Sequence, residues 1–200
     1  MSDFVVKRIH SLLGIFPIGA FLLQHFFSNS YVFISAQAYN EHSEFLTSLP
    51  MVELIELSTI YLPIFLHIVL GLAIVYRGRN NVTSYNYFRN WMFFLQRATG
   101  VIAVVFIATH SYTTRIATWL AHEEMTFQKM SDTLHQPFWF WFYAIGITSV
   151  TFHFCNGVWS FLVTWGITVG PKAQKVSSAV SMFGFVLMTA LGFAILLRFV

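Results

Sequence analysis

From Pro137 to Gly166 the chain reads PFWFWFYAIGITSVTFHFCNGVWSFLVTWG, without a single Lys, Arg, Asp or Glu. A bilayer-spanning helix needs about 20 mostly apolar residues. This run exceeds that, so it must tilt or project beyond the hydrocarbon. Near its middle sits His153, a hydrogen-bonding ring that is costly to place at membrane depth without a partner or ligand. The composition agrees with a membrane setting: 56% of the 200 residues are hydrophobic, 10% are charged, and the mean hydropathy is +0.66. The expected fold is an all-α integral membrane protein, a five-transmembrane-helix bundle forming one domain over residues 1–200.

The other spans follow from the charge pattern. A short polar lead, Met1 to Arg8, precedes span I at about 9–27, which carries Gln24 and His25 and is read as a retained helix. A loop with Glu41, Glu44, Glu53 and Glu56 has room for a short amphipathic helix. Span II, about 57–76, carries His67 and ends at Arg77, Gly78 and Arg79. Span III, about 91–112, holds Gln96, Arg97 and His110. The central stretch is span IV, about 138–165, and span V, about 176–197, has no histidine and is expected to be a packing helix. Eight of the eleven Lys and Arg residues fall on the N-terminal side, which the positive-inside rule places in the cytoplasm. Of the eight acidic residues only Asp3 lies there. The formal charge of +3 is thus a basic inner face, too scattered for a nucleic-acid footprint.

Several chemistries are excluded. The one cysteine, Cys155, permits no intrachain disulfide and no four-cysteine iron–sulfur cluster. In an apolar helix it is expected to stay an inert thiol. No dinucleotide or phosphate-loop motif occurs. Redox chemistry on a soluble substrate would therefore need other subunits.

Helical rise sorts the intramembrane histidines by depth. Measured from the outer border, His25 lies about 6 Å in and His110 about 8 Å, while His67 and His153 lie about 16 and 24 Å in. Each of two levels draws one histidine from each of two helices. Facing imidazoles across a bundle can supply both axial ligands of a haem iron, so four histidines could hold two haems b. A polar cross-link between helices is the alternative for any one of them. Glycines at i+4 from His10, His67 and His153 (Gly14, Gly71, Gly157) share the histidine's helix face and would leave room for a flat macrocycle or for close helix packing. His42, His122 and His135 read as solvated loop residues, and Phe138 to Tyr143 as an interfacial aromatic belt. Two His pairs on only two helices, as in the cytochrome b of bc-type complexes, do not occur, and the extra histidines of a proton-pumping oxidase are missing.

The segments RIHSLLG (8–14), LLQHFF (22–27), FLHIVLG (65–71), RNWMFFLQRATG (89–100) and FHFCNGVWSFLVTWGITVGP (152–171) together resemble the single-chain, di-haem cytochrome b anchors of Bacillus-type succinate:menaquinone oxidoreductases, over essentially the whole chain. The resemblance implies a membrane anchor of succinate dehydrogenase. It would transfer electrons from an iron–sulfur subunit through two haems b to menaquinone, in the bacterial plasma membrane with a cytoplasmic N-terminus. FAD and iron–sulfur clusters would belong to partner flavoprotein and iron–sulfur subunits on the cytoplasmic face. The family's ligands match His25, His67, His110 and His153; His10 also matches a family histidine. Cys155 stands where the family has Ser. The quinone site is expected near the outer haem, where acidic residues offer protons, with Arg8, His10 and Ser11 at the inner end as the alternative. Arg8, Arg77, Arg79 and Arg89 could bind the iron–sulfur partner or haem propionates. A fumarate reductase running in reverse, or a non-redox membrane protein using its histidines as a proton relay, are the competing readings.

Overall fold

The computed structural model describes residues 3–200; Met1 and Ser2, the first two residues of the expected polar lead, lie outside the described residues. All regular structure among the described residues is helical. Among the described residues, five helices or helix runs are long and apolar enough to cross a membrane: Asp3–Phe33, Val52–Arg77, Phe88–Leu120, Pro137–Thr164 and Pro171–Leu196. The end carrying Arg8 and Arg77 is called inner below, the opposite end outer.

The first span is built from two helices, α1 (Asp3–Ile15) and α2 (Pro17–Asn29). Pro17 has no N–H to continue the helical ladder, so the run breaks at Phe16. A 3-10 turn, Ser30–Phe33, carries it to the outer surface. There α3 (Ala36–Thr47) starts at Ser35, whose hydroxyl accepts the Ala38 N–H at 3.0 Å. This is the amphipathic helix for which the loop had room.

The second and third spans each widen by one π turn toward the outer end. Leu57–Tyr61 joins α4 (Val52–Glu56) to α5 (Leu62–Arg77), and Tyr112–Ile116 joins α6 (Phe88–Ser111) to α7 (Ala117–Leu120). Such one-turn bulges mark functional segments more often than regular helix does. Between them the Arg115 Nε donates to both carboxylate oxygens of Glu56, each at 3.0 Å. A half-buried pair with this geometry ties the two spans together.

A second amphipathic helix, α8 (Phe127–Leu134), lies beside α3 on the outer end. Its N-terminal Phe127 N–H donates to Asn40 Oδ1 at 2.7 Å, and Ser131 Oγ donates to the Phe199 carbonyl at 2.6 Å. Val32, Tyr39, Phe106, Met130, Leu134, Tyr143, Ile195, Leu196 and Phe199 form a buried cluster there. Burial within it pushes the Tyr39 phenol up to about 12.

The uncharged stretch becomes α9 (Pro137–Thr164), the central helix, packed against α6, α1, α8 and the last span, α10 (Pro171–Leu196). Two of its buried polar residues bond to neighbouring spans: Thr151 Oγ1 to Thr189 Oγ1 at 2.8 Å, and Asn156 Nδ2 to Gln96 Oε1 at 2.7 Å. In lipid, where helices gain no hydrophobic drive to associate, such bonds hold a bundle together. Gly166 and Gly170, both with positive φ, shape the short link from α9 to α10. Phe65, Val105, Val180 and Phe183 are all more than half exposed, as side chains facing lipid tails must be.

Candidate functional site

The interior of the bundle holds a cavity of about 1380 Å³ running from Arg8 and Arg97 at the inner end to His122 and Glu123 at the outer. Ligand sites commonly measure about 300–1,000 Å³, so this space exceeds what one small molecule needs. Its walls are largely apolar, and His10, His25, His67, His110 and His153 all line it.

Those histidines meet in pairs. The His25 ring, on α2, lies 5.7 Å from the His110 ring of α6, centroid to centroid, with planes 78° apart. His67, on α5, lies 6.2 Å from His153, on α9, at 89°. Each pair therefore joins two different spans, at two separate depths, and leaves a gap that one metal atom bonded to a nitrogen of each ring can occupy.

Ring orientation at the inner level comes from the backbone. His67 Nδ1 donates to the His10 carbonyl at 2.9 Å, and His10 Nδ1 donates to the His67 carbonyl at 3.1 Å. The two rings stack, 3.8 Å apart and 16° from parallel. On the other side of the bundle His153 Nδ1 donates to the Gln96 carbonyl at 2.9 Å, and Gln96 Nε2 donates to the His153 carbonyl at 3.0 Å. With its proton on Nδ1, each imidazole leaves Nε2 as a free lone pair, the tautomer a metal-binding histidine uses. At the outer level His110 Nδ1 is 3.1 Å from the Tyr143 hydroxyl. His25 rests against Phe21, with centroids 5.5 Å apart.

The glycines serve these rings in a way that the i+4 spacing did not foretell. A Cβ on Gly14 would stand 2.8 Å from His67 Cε1, one on Gly71 2.9 Å from His10 Cε1, and one on Gly100 2.9 Å from His153 Cε1. Each glycine thus seats an imidazole of the helix opposite, rather than clearing space beside the histidine of its own helix. Gly157 is looser, its Cβ meeting only Gln96 Nε2 at 3.4 Å.

Arginines supply the charge. Arg8 Nη1 and Arg97 Nε are buried and without a hydrogen-bond partner, and both residues line the cavity. Arg97 is held by Asn80 Oδ1 at 3.0 Å and the Val75 carbonyl at 2.5 Å; Arg8 stacks over Trp165 at 4.7 Å. Unsatisfied guanidinium donors facing an apolar chamber suit an anionic group such as a carboxylate. A haem, with its flat apolar ring, carboxylate side chains and two axial positions, fits this donor set.

Some expectations change in detail. Arg77 is paired with Asp3 at 2.9 Å and Arg89 with Gln174 Oε1 at 2.7 Å, both at the surface, so neither reaches the cavity; Arg97 does instead. Its position inside the apolar run RNWMFFLQRATG was the signal. Tyr143 is a buried partner of His110 rather than a belt residue. His42 is no freely solvated loop histidine: it stacks on Tyr31 at 4.0 Å, and its Nε2 lies 2.9 Å from Ser28 Oγ, beside the outer mouth. Arg8, His10 and Ser11 do line the inner end together, with Ser11 Oγ accepting from Trp165 Nε1 at 3.1 Å.

Among the described residues, five membrane-length helices around a chamber lined by two facing imidazole pairs define a multi-pass membrane protein with half-buried histidine pairs at two depths. Residues 79–193 match the succinate dehydrogenase/fumarate reductase transmembrane subunit family. The chain is also 41% identical over 198 residues, 99% of its own length and 98% of the relative's, to the succinate dehydrogenase cytochrome b558 subunit of Bacillus subtilis (strain 168). It belongs to the succinate dehydrogenase/fumarate reductase transmembrane subunit family.

Proposed function

We propose that this chain is the di-haem cytochrome b anchor of a bacterial succinate dehydrogenase, connecting an iron–sulfur subunit to menaquinone. The observation that carries the reading is the pair of imidazole pairs, 5.7 and 6.2 Å between ring centroids, opening on one chamber. His25 and His110 would hold an outer haem b, and His67 and His153 an inner one. When bound, the haems supply a path for single electrons across the membrane.

The residues of the chain do the rest. Nδ1–H bonds to main-chain carbonyls orient His67 and His153 and leave their Nε2 lone pairs free, and the Tyr143 hydroxyl holds His110 through its Nδ1. Arg8 and Arg97, with unpartnered donors on the cavity, would neutralise the haem carboxylates at the inner end. The largely apolar lining lowers the local polarity, which strengthens electrostatic interactions inside. Arg79, Lys172 and Lys175 extend a basic inner face suited to a flavoprotein–iron–sulfur pair of subunits in the cytoplasm, with the N-terminus on that side.

Quinone reduction consumes two protons, so its site needs titratable groups near water. The outer mouth of the cavity offers His42, Glu44, His122, Glu123 and Glu124, and Gln24 Nε2 donates to Ser28 Oγ at 2.7 Å while His42 reaches that same hydroxyl. These groups support a menaquinone site beside the outer pair. At the inner end His10 is already engaged with the His67 carbonyl, which weighs against the trio of Arg8, His10 and Ser11. The second reading is the same assembly run as a fumarate reductase, since the matched family covers both.

A reduced-minus-oxidised spectrum of the purified protein with haem quantitation tests the proposal. Two haems b per chain are expected. A chain without a Soret band is a proton relay or inert anchor, and a single haem leaves one histidine pair without its assigned role.

A further inference from the structure

The two helix crossings at the inner level are copies of one another. In the first, α1 and α5 cross where position 10 is followed by Gly14 and position 67 by Gly71. In the second, α6 and α9 cross where position 96 is followed by Gly100 and position 153 by Gly157. In both, the partners lie 57 residues apart and exchange two hydrogen bonds through main-chain carbonyls. His67 and His153 occupy the same place in their crossings: each sends Nδ1–H to the carbonyl of the residue opposite. The residue opposite is His10 in one case and Gln96 in the other.

From this correspondence we infer that His10 is a positioning residue for His67, the counterpart of Gln96 for His153, and is neither an iron ligand nor the quinone's proton donor. The inference rests on reading His67 and His153 as the ligands of the inner haem. His10 and Gln96 each return a side-chain N–H to the carbonyl of the histidine they face, at 3.1 and 3.0 Å. Each thereby closes a two-bond ring between helices that fixes both the height and the rotation of the ligand helix. What the position needs is a planar side chain with one N–H at the right reach, which imidazole and carboxamide both supply. The two ends differ in how that side chain is itself held. Gln96 Oε1 accepts from Asn156 Nδ2 at 2.7 Å, whereas His10 is held by stacking on His67 and by the seat at Gly71. A ligand role for His10 would place three imidazoles at one level, with the stacked pair lying nearly parallel at 3.8 Å; parallel stacked rings cannot face one another across an iron.

The exchange of the two side chains is the test, made in the assembled complex and read by haem content and by the low-spin EPR resonance of the inner haem. That resonance depends on the angle between the two imidazole planes, near 89° here. His10→Leu and Gln96→Leu should each move the inner resonance and leave the outer one in place. His10→Gln and Gln96→His should keep two haems per chain and return the inner resonance to its native position. Loss of the inner haem in His10→Gln would make His10 a ligand and overturn the inference. So would a native inner resonance in both Leu variants. If a Leu variant does not assemble, its exchange variant alone decides, since an altered inner resonance there contradicts equivalence. The ligand reading fails separately: His67→Leu and His153→Leu would then both keep two haems, which also removes the basis of the inference.

Discussion

The inner and outer histidine pairs are held by different kinds of partner. At the inner level His67 and His153 are tied to main-chain carbonyls of the neighbouring span, and the glycines Gly14 and Gly100 give their rings a close seat. At the outer level His110 is tied to the Tyr143 side chain, and among the described residues no hydrogen bond reaches the His25 ring, which is placed by packing. A backbone partner cannot move unless its helix moves, so the inner geometry is a property of helix crossing. A side-chain partner can rotate or be exchanged, so the outer geometry is adjustable. That difference suits the roles proposed for the two ends: a protein partner of constant shape at the inner one, and at the outer one a quinone that would arrive, take up protons and leave.

The largest effect should come from removing a ligand at the rigid level. His67→Leu or His153→Leu should abolish the inner haem and, because the bundle then lacks the group around which its core closes, prevent assembly with soluble subunits. Haem stoichiometry and co-purification measure this, and normal amounts of both haems would refute the pairing. His25→Leu should be more selective. The outer haem and quinone reduction should be lost while succinate oxidation with an artificial soluble acceptor persists, because that acceptor draws electrons upstream of this chain. Equal loss of both activities in an assembled complex would move the quinone site to the inner end.

Gly14→Ala sharpens the comparison. Its added methyl would lie 2.8 Å from His67 Cε1, and overpacking of this sort costs about 1–3 kcal/mol. A lower unfolding temperature together with a displaced inner spectrum is expected. Gly157→Ala, with 3.4 Å to the flexible end of Gln96, should be milder on both counts; equal effects would show that the seats do not matter. Smaller still is Tyr143→Phe. It removes one hydrogen bond, about 0.5–1.5 kcal/mol, and should shift only the outer haem's spectrum and potential. A shift of the inner haem would mean that the two levels are coupled. Cys155→Ser should change neither spectrum nor activity, since Sγ faces Met188 Sδ at 3.8 Å, away from the cavity.

Length and apolar composition were enough to define five membrane-crossing segments, because a bilayer sets one length scale and excludes charge within it. Rise per residue was enough to bring His25 level with His110. It was less suited to His67 and His153, whose estimated depths differed by several ångströms although their rings lie 6.2 Å apart; tilt and π turns alter the path of a span, and no residue count includes them. Depth is a one-dimensional quantity along a single helix. Rotation about the helix axis and the choice of neighbour are not, and they depend on how all five spans pack. Only the tertiary structure could therefore stack His10 on His67, seat imidazoles on the glycines of the opposite helix, aim Arg97 rather than Arg77 into the chamber, and turn Tyr143 from the aromatic series toward His110.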